Sequence, residues 1–288
     1  MDIACDFNIT IVGLGLIGGS MAKSIRENLS VKSIWALDLD RDVLKEAHES
    51  GIIDDLFEDD TIPIKNSDIV ILCTYPNAVL EFMKKNRDNF KHGALITDTS
   101  GIKEKIVQGA RDVLRSDCEF IGGHPMSGKE SMGYKYSDGS IFQGTNYIIT
   151  PDEKSNKELV LLLKEILFTI GFKRIIEMSP REHDRIVAYT SQLPHILACI
   201  MMNSKSFERS KDLHGGSFRD ITRVADINCE LWSELLHENK QNIVAELEAV
   251  IEDIKNISKM IDNDDIDSLK VVFKNSSMLR KEMNYEKA

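Results

Sequence analysis

No two cysteines of this chain form a CxxC pair. The five (Cys5, Cys73, Cys118, Cys199 and Cys229) are scattered along 288 residues. That spacing suggests neither a zinc site nor a disulfide framework. A reduced, cytoplasmic compartment fits, and no metal is expected. Positive charge is scarce. Lys and Arg number 36 against 47 Asp and Glu, for a formal net charge of −11. Nucleic acid and anionic membranes both need a basic footprint, so neither is expected as a partner. Long apolar runs are missing as well, and none approaches the roughly 18–20 residues of a membrane span. No signal-peptide pattern is expected ahead of the first strand-like run, which begins by about Asn8. Internal repeats and low-complexity linkers are also absent.

The length exceeds what one hydrophobic core usually serves, so two domains are expected. The first part alternates short apolar runs with amphipathic stretches. Candidate strands fall at 8–12, 33–38, 68–73, 94–98, 119–122, 146–150 and 172–177. Candidate helices fall at 20–29, 41–50, 78–89, 103–114 and 155–170. Such alternation predicts a parallel sheet with helices on both faces. The polar, Gly-rich segment 133–144 reads as a mobile loop. From Ser179 onward strand signals vanish and helical spacing takes over. The pattern therefore divides the chain into an α/β dinucleotide-binding domain, 1–178, and an all-α domain, 179–288. In the second, Ile243, Leu247, Val250, Ile254, Ile257 and Ile261 recur at intervals of four and three. That seam packs either inside one subunit's bundle or between the helices of two subunits, and the latter is favoured.

Gly13, Gly15 and Gly18 stand in a GxGxxG pattern between an apolar strand and a helix. This is the context in which the pattern binds a dinucleotide. The first glycine allows a tight turn, the second lets backbone approach a pyrophosphate, and the third lets helix and strand pack closely. The first helical residues, Leu16 and Ile17, then offer unpaired N–H groups to the phosphates. Asp38 closes the next strand. A carboxylate there accepts hydrogen bonds from an adenine ribose and repels a 2′-phosphate, which favours NAD over NADP. Alternatively, the glycines only end a strand, Asp38 only caps a helix, and Arg41 meets a phosphate.

In "IGGHPMSG", 121–128, His124 lies just past the carboxyl end of a candidate strand, where such sheets bind their ligands. Imidazole accepts protons near neutral pH, and a hydride leaving an alcohol carbon needs a base for the hydroxyl proton. A surface or capping histidine is the alternative. His183 and His195 share a helical segment kinked near Pro194. Arg219 and Arg223 stand four apart on one helix face.

With these blocks the chain resembles the prephenate and arogenate dehydrogenases. The resemblance rests on "IVGLGLIGGSMA", "HPMSGKESMG", "EHDRIVAYTSQLPH" and "GGSFRDITRVA", and covers nearly the whole length. It implies an N-terminal Rossmann-type domain followed by a helical dimerisation domain, and a homodimer joined through the C-terminal helices. The implied activity is NAD-dependent oxidative decarboxylation of prephenate to 4-hydroxyphenylpyruvate in tyrosine biosynthesis. Arogenate is the alternative substrate, and a non-catalytic NAD sensor the remoter reading. By resemblance, His124 is the catalytic histidine, Arg223 holds a substrate carboxylate, His195 lines the substrate pocket and His183 supports the site. The family often carries D-x-G-S-x-K where this chain has "DTSGIK", 98–103, so Ser100 stands one position early and Gly101 takes the serine's place. Gln192 stands where the family often has histidine. β-Hydroxyacid dehydrogenases usually place a catalytic lysine on the helix after the nucleotide domain. Here no lysine occurs between Ser179 and Lys205.

Overall fold

A computed structural model describes residues 4–129, 131–210 and 213–285. Its strands are β1 (Ala4–Val12), β2 (Ser30–Leu37), β3 (Ile69–Leu72), β4 (Leu95–Asp98), β5 (Glu119–Pro125), β6 (Asn146–Thr150) and β7 (Arg174–Glu177). They form one sheet in the order β2-β1-β3-β4-β5-β6-β7. β3 and β4 are buried at every residue, as strands covered on both faces must be.

The covering helices are α1 (Leu16–Asn28), α2 (Arg41–Glu49), α3 (Thr61–Asn66), α4 (Pro76–Asn86), α5 (Glu104–Val113) and α6 (Lys157–Thr169). Alternation along the strands divides the core in two. Ile9, Ile11, Ile69 and Ile71 pack with α1 and α6 residues such as Ile25 and Leu163. Val12, Val70 and Leu72 pack with α4 and α5 residues such as Val79, Met83 and Ile106. Local chemistry sets the helix starts. Asp40 accepts the Asp42 and Val43 N–H groups at the head of α2, and Asn156 accepts those of Glu158 and Leu159 at α6.

β1 to β5 run parallel. β6 is antiparallel to β5, and β7 is parallel to β6. The expectation of a parallel sheet throughout is thus corrected at β6. The chain returns from β5 without a full helix crossing the sheet, and a parallel return needs such a crossover. The expected mobile loop is corrected too. Segment 133–144 folds into two short 3₁₀ turns, Tyr134–Tyr136 and Gly139–Phe142, with Tyr134 and Phe142 buried. Hydrogen bonds from Lys23 Nζ to the Ser137 carbonyl (2.9 Å) and from the Asp138 N–H to Ser20 Oγ (2.9 Å) tie it to α1.

Past β7 the chain is helical: α7 (Pro180–Val187), a π turn (Ala188–Gln192), α8 (Leu193–Met202), α9 (Lys205–Arg209), α10 (Gly216–Thr222), a 3₁₀ turn (Arg223–Ala225), α11 (Cys229–Glu238), α12 (Lys240–Asp262) and α13 (Ile266–Tyr285). Ser179 caps α7 through the Glu182 N–H, with Pro180 in the first turn. The kink expected near Pro194 takes the form of the π turn before it, since proline cannot continue the regular ladder. The chain forms two compact units, 1–240 and 241–288. The first therefore holds α7 to α11 together with the sheet. Within the second, the predicted seam is buried at Ile243 but 57% exposed at Ile254 and 61% at Ile261. Among the described residues no helix is long and apolar enough to cross a membrane.

Candidate active site

The strand order reverses at β1, with β2 on one side and β3 on the other. Ligands of such sheets bind in the crevice outside the carboxyl ends of the strands at this switch point. Gly13 leaves β1 with φ +92°, and a Cβ there would come within 2.8 Å of the Cys73 carbonyl oxygen. A Cβ on Gly18 would strike the Gly13 carbonyl. Gly15 would meet nothing within 4 Å, and it begins α1 without a side-chain cap. The turn is therefore closed behind and open in front, where the Leu16 and Ile17 N–H groups begin the helix.

Asp38 faces this turn. Its Oδ2 accepts the Leu14 N–H at 2.6 Å and its Oδ1 the Asp40 N–H at 2.8 Å. Asp40, not Asp38, caps α2, which removes the capping alternative. Arg41 turns elsewhere, donating to the Phe57 carbonyl (2.7 Å) and pairing with Asp60 (3.8 Å). The crevice fits a dinucleotide in a second respect. Thr74, Ser100 and Ser127, just beyond β3, β4 and β5, each bury a hydroxyl oxygen that has no hydrogen-bond partner among the described residues. Buried polar atoms are normally satisfied, so orphans gathered at one crevice point to a bound group.

His124 is inside β5, opposite Ile148 of β6, rather than beyond the strand as expected. Its Nδ1 lies 2.9 Å from His183 Nε2, and His183 Nδ1 lies 2.7 Å from Asp184 Oδ1. The Asp184 carboxylate also accepts the Lys103 N–H (2.7 Å) and the Glu104 N–H (2.9 Å) at the head of α5. The proton order is assigned from these contacts. With the Asp184 carboxylate as acceptor, as toward its two backbone donors, His183 Nδ1 carries a proton and donates it. His183 Nε2 then accepts from His124 Nδ1–H, which leaves a lone pair on His124 Nε2. That nitrogen faces Gly101, where a Cβ would lie 3.9 Å away. Part of His124 reaches the surface, yet burial first, then His183 and Lys103, hold it well below the ordinary imidazole value of 6.5. Burial lowers His183 as well, against an opposing Asp184. Both rings are thus neutral at pH 7, as a base requires.

Ser100 donates its N–H to Asp98 Oδ2 at 3.0 Å, but its hydroxyl caps nothing. The residue bordering His124 Nε2 is Gly101. His195 lies in the first turn of α8. Its Nδ1 is 2.7 Å from the Ser191 carbonyl, and its ring stacks on Trp232 of α11 at 4.0 Å. Arg223 is exposed and opens the 3₁₀ turn that packs against α8. The structure joins His124 to His183, and the Arg223 turn to the helix of His195. No described contact links Arg223 to His124. A cavity of about 230 Å³ between α5 and the start of β5 holds none of these groups, and its Arg111 and Asp152 pair with each other. Sequence reasoning missed Asp184, Trp232, Asp98 and Lys103. It also missed Asn239, whose Nδ2 bonds the Asp184 carbonyl (2.8 Å) and Gln192 Oε1 (2.9 Å). The His183-Asp184 doublet was the one available signal.

Comparison with known proteins agrees with this layout. Residues 21–176 match the family model described as prephenate dehydrogenase, nucleotide-binding domain, and 179–275 match prephenate dehydrogenase, dimerization domain. The prephenate dehydrogenase of Bacillus subtilis is 32% identical over 94% of this chain and 75% of its own. Among solved structures, prephenate dehydrogenase from A. aeolicus, in complex with hydroxyphenyl propionate and NAD+, has a TM-score of 0.86 at 28% identity, covering 96% of this chain and 98% of that one. Synechocystis arogenate dehydrogenase has a TM-score of 0.82 at 25% identity, covering 96% and 99%. With two family models spanning both its parts, the chain belongs to the prephenate dehydrogenase family.

Proposed function

We propose that this chain oxidises prephenate with NAD and releases 4-hydroxyphenylpyruvate and carbon dioxide, a cytoplasmic step of tyrosine biosynthesis. The observation that carries this reading is the run of contacts from Asp184 through His183 to His124 Nδ1, which assigns the basic lone pair to His124 Nε2. When bound, NAD supplies the hydride acceptor. Gly13, Gly15, Gly18 and the N–H groups of Leu16 and Ile17 hold its pyrophosphate, and Asp38 accepts from its ribose hydroxyls. His124 Nε2 takes the ring hydroxyl proton as the carbonyl forms. The ring carboxylate then leaves as carbon dioxide and the ring becomes aromatic. Arg223 grips a substrate carboxylate, for which a guanidinium offers two parallel N–H groups. His195, its ring held by Ser191 and Trp232, lines the substrate pocket. Ser100 supports the substrate from the β4 side.

The functional division falls at 178/179, between a cofactor part and a substrate part. Two chains pair through the C-terminal helices. Support comes from the exposed Ile251, Ile254, Ile261, Val271 and Phe273 of α12 and α13, apolar side chains of the kind a subunit interface covers. Sedimentation of Ile254→Asp tests this, and an unchanged mass excludes that face from the interface. The activity is tested by supplying prephenate or arogenate with NAD or NADP and following reduced nicotinamide together with carbon dioxide. Prephenate with NAD gives the highest kcat/KM. Turnover of arogenate alone reassigns the substrate, and no turnover with either removes the enzymatic reading.

A further inference from the structure

Asp98 and Lys103 are fully buried and their side chains pair. Such a pair adds little stability, because the water lost by two charges offsets their attraction. Its surroundings suggest another task. The Lys103 stem passes beneath Gly122, where a Cβ would come within 3.1 Å of Lys103 Cδ. Asp98 Oδ1 accepts the Gly123 N–H at 3.0 Å. A Cβ on Gly123 would strike the Tyr147 hydroxyl and come within 2.6 Å of the Asp98 carbonyl oxygen, to which Tyr147 donates at 3.2 Å. The two glycines ahead of His124 are thus the space into which this assembly fits. Lys103 also reaches the far side of the imidazole, since its backbone N–H binds the Asp184 carboxylate that orients His183.

We propose that Lys103, paired with Asp98, is a positioning residue for His124. It fixes the strand beneath the imidazole and keeps a cation behind it. The proposal rests on His124 being the base. The titratable groups packed around that ring are His183 and Asp184 from α7, Asp98 and Lys103 from β4 and the head of α5, and Tyr147 from β6. From α11 comes Leu235, which is apolar. Burial pushes Tyr147 far above its ordinary value, so it stays uncharged. Burial pushes Lys103 below its ordinary value, and the Asp98 and Asp184 carboxylates act against that and favour its charged form; as the cation of the group it opposes protonation of both imidazoles.

The test is a histidine NMR titration of the full-length protein without substrate. The Lys103→Met/Asp98→Asn double variant removes both charges together, so neither is stranded. Its His124 midpoint moves to higher pH than in wild type. The acid limb of kcat moves with it, and the loss shrinks again above the new midpoint. Lys103→Arg keeps the cation and the wild-type midpoint. An unmoved His124 titration in the double variant overturns the proposal, as does a kcat loss equal at every pH, the mark of scaffolding alone. Should that double variant not fold, Lys103→Gln/Asp98→Asn, whose amides can still bond each other without charge, takes its place. The same shifted midpoint then supports the proposal, and an unmoved one overturns it. The titration is read without turnover, so it remains decisive even if His124 proves not to be the base.

Discussion

His124 and Arg223, the proton acceptor and the anion grip of the proposed reaction, occupy opposite settings. His124 sits within a sheet, its ring tied to a buried histidine and, through it, to a carboxylate that accepts three donors. Arg223 is exposed at the start of a single 3₁₀ turn. The first is held by contacts made inside the fold, whereas the second stands on a short surface turn. Pre-organisation of this kind acts on the chemical step, and an exposed grip acts on binding. Changes at the two places should therefore separate in kcat and KM.

The largest effect is expected at His124 itself. His124→Asn lowers kcat on the order of 10²–10⁴-fold, while fluorescence titration finds NADH binding retained. Full turnover in this variant would end the assignment. Asp184→Asn comes next. An amide in place of the carboxylate disturbs the proton order of the relay, and kcat falls, by less than on loss of the base itself. If steady-state rates are untouched, the relay is ornamental and His124 works alone. Arg223→Ala should raise KM for prephenate about 10–100-fold, in line with a lost hydrogen-bonded charge contact, with little change in kcat. A kcat defect at constant KM would reverse the comparison and put Arg223 at the reacting atoms.

The smallest effect is on stability. His124 and His183 are held below the ordinary imidazole value in the fold. On acidification through about pH 6.5 the unfolded chain therefore binds more protons than the folded one. Stability is full above that pH and declines below it. Melting temperatures measured across this range should fall toward acid, with a gentler slope for His124→Asn. A slope that stays the same in the variant would place the linkage on other groups.

Much of the cofactor half was legible in the sequence, because its requirements are local. Gly13 is required by its positive φ and Gly18 by the Gly13 carbonyl, both inside a single strand-turn-helix unit. The sheet was legible for the same reason up to β5. The reversal at β6 was not, because an apolar pentapeptide reads alike in either direction. Nor was the burial of Tyr134 and Phe142, two rings in an otherwise polar segment. In the active site, His124 and His183 were recognisable by motif. Their supports were hidden because Lys103 and Asp184, 81 positions apart, meet only after the sheet and α7 pack together. Asp98 and Lys103 bracket the "DTSGIK" stretch set against the family pattern, but that they pair is seen only once the fold buries both.

The carboxylate of Asp184 already receives three donors, two of them backbone N–H groups of α5. Those donors hold His183 in one orientation against His124 Nδ1. In the proposed reaction a proton captured at His124 Nε2 is therefore on the side of the ring turned away from His183, and the base is reset from the same nitrogen that meets the substrate.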